Sequence, residues 1–128
     1  MTFYICYANE DRISAIRLNS ALRALGYNTC FIDRGDAELL TDPMEDIMNG
    51  IKSSRAFALI HSEHTNASVL SQIEITYAKN LHLEMFVIKT GRGNISDSIR
   101  FELGSSAIIN DTDMGSAAKK LAKAVGGK

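Results

Sequence analysis

The run Ala56-Phe57-Ala58-Leu59-Ile60, followed closely by Asn66-Ala67-Ser68-Val69-Leu70-Ser71-Gln72-Ile73-Glu74, decides how this chain is read. The first run is continuously apolar, as a strand covered on both faces is. The second has helical spacing: at roughly 100° per residue, Val69, Leu70, Ile73, Tyr77 and Leu81 fill one apolar arc. Glu74 falls just past the rim of that arc, which predicts a half-buried carboxylate. It would lie near the carboxyl edge of a sheet, where open α/β folds place their ligands. The competing reading is a solvated glutamate on the outer face of a helix.

Outward from this pair, strand-like and helix-like runs alternate to both ends. Strands are predicted over residues 3–7, 29–32, 57–60, 85–88 and 107–109. Asp11 reads as a cap for a helix carrying Ala15, Leu18, Leu22 and Leu25, which Gly26 ends. Asp42-Pro43 starts a second helix with Met44, Ile47, Met48 and Ile51 inward, since proline fits a first helical turn. Further helices are predicted after Ser68, over residues 96–101 and over 114–125, with a frayed end at Gly126-Gly127-Lys128. Five strands alternating with helices imply a parallel sheet covered on both faces. Right-handed crossovers favour a flavodoxin-like α/β three-layer sandwich, order 2-1-3-4-5, as one domain over residues 1–128.

The totals agree with an ordinary soluble globule: 128 residues, 45% hydrophobic and 23% charged. A net charge of -1 speaks against nucleic-acid binding through bulk charge. Cys6 and Cys30 are too few for a disulfide framework and read as two buried thiols. No apolar run approaches the ~20 residues that span a bilayer, and no charged leader precedes the first strand, so a cytoplasmic location is expected.

In a parallel sheet the loops after the strands meet along one edge. Here these are Ala8-Asn9-Glu10-Asp11, residues 33–41, residues 61–68 and residues 90–94. His61 and His64 lack further ligands for a metal site, so no metal is expected. Gly91-Arg92-Gly93 follows the fourth strand and lacks a third glycine, so it reads as a turn rather than a phosphate cradle. Ser62 and Ser68 lack the Gly-x-Ser-x-Gly elbow of an acyl-transfer nucleophile. Glu10-Asp11 suggests a receiver domain, but the third strand ends in His61-Ser62 where a phosphorylatable Asp would stand. The first loop also lacks the Ser/Thr/Gly-rich cradle of a flavodoxin.

Taken in order, the motifs resemble a TIR (Toll/interleukin-1 receptor) domain of the small bacterial type. Tyr4-Ile5-Cys6-Tyr7-Ala8-Asn9-Glu10-Asp11 is similar to the family's Phe-Ile-Ser-Tyr-Ser-x-x-Asp opening. Leu25-Gly26-Tyr27, Phe31-Ile32-Asp33 and the Ile-x-x-Ser-Arg of Ile51 to Arg55 resemble the passages that follow. Ser62, Asn66-Ala67-Ser68, Glu74 and Ala78 match Ser-x-x-x-Asn-x-Ser…Glu-x-x-x-Ala. The Trp often found four residues before the Glu is Leu70 here. Many bacterial members cleave NAD between nicotinamide and ribose, and Glu74 stands at their catalytic Glu. The resemblance implies Tyr7, Ala8, Phe31, Asp33 and Ser68 as substrate-binding residues, with NAD as substrate and no cofactor. It also implies self-association, through residues 34–41 and the Gly91-Arg92-Gly93-Asn94 turn. The product would be ADP-ribose or a cyclic isomer, the latter a signal for a separate effector in antiphage immunity. Two other readings compete: a non-catalytic TIR scaffold working by homotypic assembly, and a nucleoside deoxyribosyltransferase-like enzyme, which the first-strand motif fits poorly.

Overall fold

A computed structural model describes residues 2–33, 43–91 and 93–126. Five parallel strands form one sheet: β1 (Thr2–Cys6), β2 (Asn28–Cys30), β3 (Ala56–His61), β4 (Glu84–Lys89) and β5 (Ala107–Asn110). Their order is β2-β1-β3-β4-β5, as the sequence predicts. Register is set by pairs such as Tyr4 with Cys30, Tyr4 with Phe57, and Ile60 with Ile88. The helices are α1 (Arg12–Ala24), α2 (Pro43–Lys52), α3 (Val69–Asn80), α4 (Asp97–Leu103) and α5 (Met114–Gly126). Gly26, at φ +93°, turns the chain out of α1 in the left-handed conformation that glycine adopts without steric cost. Asp42, the expected contact loop 34–41 and Arg92 lie outside the described residues. Among the described residues no helix is long and apolar enough to cross a membrane.

The pleat divides the core in two, because successive strand residues point to opposite faces. Phe3 and Ile5 of β1 and Tyr7 just after it, with Ala56, Ala58 and Ile60 of β3, pack against α1 and α5 through Leu18, Leu22, Ala118 and Leu121. Tyr4 and Cys6, with Phe57 and Leu59, face α2, α3 and α4 through Ile47, Ile51, Ile75, Ala78 and Ile99.

Three expectations are corrected. β5, at the edge of the sheet, is not covered on both faces: Ile108 is 47% exposed. Cys30, expected to be buried, is only half-buried, whereas Cys6 is buried, and neither is in a disulfide. The third correction concerns α3, whose expected apolar arc is split: Leu70 and Tyr77 pack partly buried against the core, and the rest faces outward. Val69 is 71% and Ile73 46% exposed, and Leu81 is also exposed. The buried side is Ser71, Glu74, Ile75 and Ala78. These residues are spaced three and four apart, so they form a stripe of their own. Ser71 and Ala78 are small, which lets the helix backbone approach the sheet closely.

Candidate functional site

The strand order reverses direction between β1 and β3, the switch point outside which open α/β sheets bind ligands. The two loops leaving these strands are tied across it. β1 runs through Tyr7 and Ala8 into a 3₁₀ turn, Asn9–Asp11, closed by Asp11 N–H on the Ala8 carbonyl at 2.8 Å. The Asp11 side chain makes no capping bond to α1. Instead the Ser62 hydroxyl, after β3, donates to Asp11 Oδ2 at 2.5 Å. Ser62 Oγ in turn accepts from the His64 N–H, and the Ser62 N–H donates to Thr65 Oγ1.

The next pair of loops is pinned through Asn66. Its Nδ2 donates to the Asn94 carbonyl, and its Oδ1 accepts from the Ser96 N–H. Both partners have fixed polarity, so the amide orientation is settled. His61 Nε2, 3.0 Å from the same Oδ1, is therefore the protonated ring nitrogen. The two histidines serve different places. His61 is buried at the end of β3, whereas His64 stands beside Glu63 at the surface.

Between the first and third loops lies a cleft of about 380 Å³ lined by Asn9, Glu10, Glu63, His64, Ala67, Ser68, Val69 and Leu70. Ser68 caps α3 there, accepting from the Ser71 N–H at 3.2 Å and donating to Ser71 Oγ at 2.8 Å. These hydroxyls step inward along the buried side of the helix. Glu74 lies about 9 Å further along the axis than Ser68, at 1.5 Å per residue.

Glu74 is not half-buried, as the sequence suggests, but 0% exposed. The inward rotation of α3 carries it onto the sheet face, where the Tyr4 hydroxyl donates to its Oε2 at 2.8 Å. Burial, and then the negative charge of Glu74, push the Cys30 thiol above its ordinary pKa. Cys6, on the same face of β1 as Tyr4, directs its thiol at the Ser71 carbonyl at 4.0 Å.

The other expected site residues are distributed differently. Ser68 lines the cleft. Tyr7 is buried on the opposite face of the sheet from Glu74, its hydroxyl donating to the Ile32 carbonyl at 2.6 Å. Phe31 packs against the Tyr7 ring with centroids 5.6 Å apart. Ala8 is buried under the first loop. Asp33 receives two bonds from Arg12, each 2.6 Å, which tie the segment after β2 to the start of α1. Tyr4 was legible only as a strand residue. Its even position beside Cys6 and the partner that a buried tyrosine hydroxyl requires were the signals available.

The sequence profile of the TIR domain family matches residues 3–100. The sequence matches no curated protein. Among solved structures, it resembles the TIR domain of the Toll-related receptor TRR-2 from Hydra magnipapillata, 19% identical with a TM-score of 0.73, covering 96% of this chain and 95% of that one. The TIR domains of the activated Roq1 resistosome, which directly recognizes the pathogen effector XopQ, are 17% identical with a TM-score of 0.68, covering 97% and 98%. The CMP N-glycosidase BcmB of Clostridium botulinum is 17% identical with a TM-score of 0.67, covering 95% and 99%. At these identities the likeness is one of fold.

Proposed function

This chain belongs to the TIR domain family, and from that premise we propose that it cleaves the bond between nicotinamide and ribose in NAD, with Glu74 as the catalytic carboxylate. The observation that carries the reading is Glu74 itself, withdrawn from solvent on the sheet face inward of the switch-point cleft and held by a tyrosine hydroxyl. Burying a carboxylate costs stability, and a buried carboxylate beside a cleft is a recognised mark of a functional site. It is further supported by the fold shared with an enzyme that is itself an N-glycosidase.

The chemistry suits one carboxylate. As the C1′–N bond breaks, its electron pair returns to the pyridinium nitrogen and neutral nicotinamide leaves, so no general acid is needed. The ribose becomes oxocarbenium-like, as in glycoside hydrolysis. A carboxylate beside it stabilises the developing positive charge. Water attack at C1′, with loss of a proton, yields ADP-ribose. Attack by a hydroxyl or adenine nitrogen of the same molecule yields a cyclic isomer. Ser68, at the cleft, is assigned to the substrate's ribose side, and Tyr7, Ala8, Phe31 and Asp33 to shaping the neighbouring wall. Since Glu74 is fully covered, substrate contact requires it to be uncovered, and we assign that step to self-association. A cytoplasmic role in antiphage defence, through a nucleotide signal to a separate effector or through NAD depletion, follows from the same reading.

The scaffold reading is favoured by one specific feature, the apolar outer face of α3 at Val69, Ile73 and Tyr77. One assay separates the two. NAD is incubated with concentrated protein, and products are resolved by chromatography and mass, beside Glu74→Gln and Glu74→Ala. NAD loss that rises per protomer with concentration and disappears in both variants is expected. An assembled wild-type protein that leaves NAD intact would overturn the enzyme reading in favour of the scaffold.

A further inference from the structure

We propose that Tyr4 is a positioning residue for the catalytic carboxylate, its hydroxyl fixing one oxygen of Glu74 in the orientation that the reaction uses. This rests on the reading of Glu74 given above. The ring of Tyr4 is fully buried and closely packed. It stacks on Phe57 of the neighbouring strand, with centroids 5.6 Å apart and planes at 13°. It also meets α2 at Gly50, where a Cβ would lie 3.2 Å from the ring's Cε2 and 2.6 Å from Cys30 Sγ. Only a residue without a side chain lets α2, β1 and β2 close up in this way. The ring therefore has little room to turn, and its hydroxyl is held at 2.8 Å from Glu74 Oε2.

Two consequences bear on chemistry. A donor on a buried carboxylate favours its ionised form, which an oxocarbenium-like centre needs. The neighbouring thiol of Cys30 is pushed up by burial and by Glu74's charge, and so remains protonated at neutral pH. No second anion forms from that thiol.

Tyr4→Phe removes the hydroxyl and keeps the ring between Phe57 and Gly50. In the full chain, at concentrations where the wild type turns over NAD, kcat is expected to fall roughly ten- to a hundredfold, the size of a hydrogen bond to a charged group. KM is expected to stay within about twofold and the melting temperature within a few degrees, since no apolar packing is lost. A kcat in Tyr4→Phe equal to or above wild type, with Glu74→Gln inactive, would overturn the positioning role and leave the NAD reading standing. A fall in kcat accompanied by a large rise in KM or by a collapse in melting temperature would assign Tyr4 to structure alone. Wild-type protein without NAD turnover would instead bring down the reading of Glu74 and this inference with it.

Discussion

The two faces of the sheet are built from alternate residues of the same strands, yet they differ in kind. Toward α1 and α5 the buried groups are Phe3, Ile5, Leu18, Leu22, Ala118 and Leu121, with Tyr7 donating only to a backbone carbonyl, and the buried polar residues Ser71 and Glu74 are on the other side. Toward α2, α3 and α4 the core holds Tyr4, Cys6 and Ile75 alongside Ser71 and Glu74. The first face is stabilised by close-packed apolar burial, with a cost for any methylene removed. The second gives up part of that stabilisation to enclose a carboxylate, and must then satisfy it with a donor. The proposed catalytic carboxylate and its tyrosine donor lie on the α2–α4 side of the sheet, opposite the core that packs against α1 and α5. Side chains two positions apart on a strand share a face, and adjacent ones do not.

Substitutions on each face put that contrast at risk. The largest effect is expected at Glu74. Replacement by Gln retains an acceptor for Tyr4 and removes the charge, so turnover should fall by roughly two to three orders of magnitude while the melting curve changes little. Unfolding of Glu74→Gln at room temperature would mean that the carboxylate is a structural group. On the opposite face, Leu18→Ala should cost about 2–5 kcal/mol in denaturant unfolding, through lost burial and a residual cavity. Turnover per folded molecule should be unchanged; a matching loss of kcat would show that the two faces are not independent.

A smaller effect is expected on the outside of α3. Val69→Lys should shift stability by no more than about 0.5 kcal/mol, because the side chain is already exposed. A loss of several times that size would put this apolar arc back inside the core. The smallest effect concerns pH. The Cys30 thiol has a raised folded-state pKa, from burial first and Glu74's charge second. Its contribution is fully present below the unfolded thiol pKa of about 8.5 and is lost as pH rises toward the higher folded value. Chemical denaturation across that alkaline window should show stability declining in the wild type and declining less in Cys30→Ala. Identical slopes would place the thiol outside the influence of Glu74.

Much of this was legible in the residues. The apolar run at Ala56 to Ile60, the stop at Gly26 and the proline at the start of α2 have local causes, and alternation with right-handed crossovers then prescribes the strand order. Glu74 itself was legible from the order of motifs around it. Its surroundings were not. Asp11 has the sequence position of a helix cap, but a serine 51 residues away takes its carboxylate. Tyr4 reads as one more strand residue until a partner 70 residues away is folded against it.

By itself, then, the sequence determined the elements, their order and the family, because backbone preferences, turn chemistry and hydrophobic period act within a few residues. Only the tertiary structure decided which side of α3 faces the sheet. Two stripes on that helix were available, the larger one of Val69, Leu70, Ile73, Tyr77 and Leu81, of which Leu70 and Tyr77 still reach the core, and the smaller one of Ser71, Glu74, Ile75 and Ala78. Close approach to a β1–β3 surface that already presents Tyr4, Cys6 and Phe57 selects the smaller. That choice is a matter of shape and hydrogen-bond partners brought together across the chain, which no local period contains.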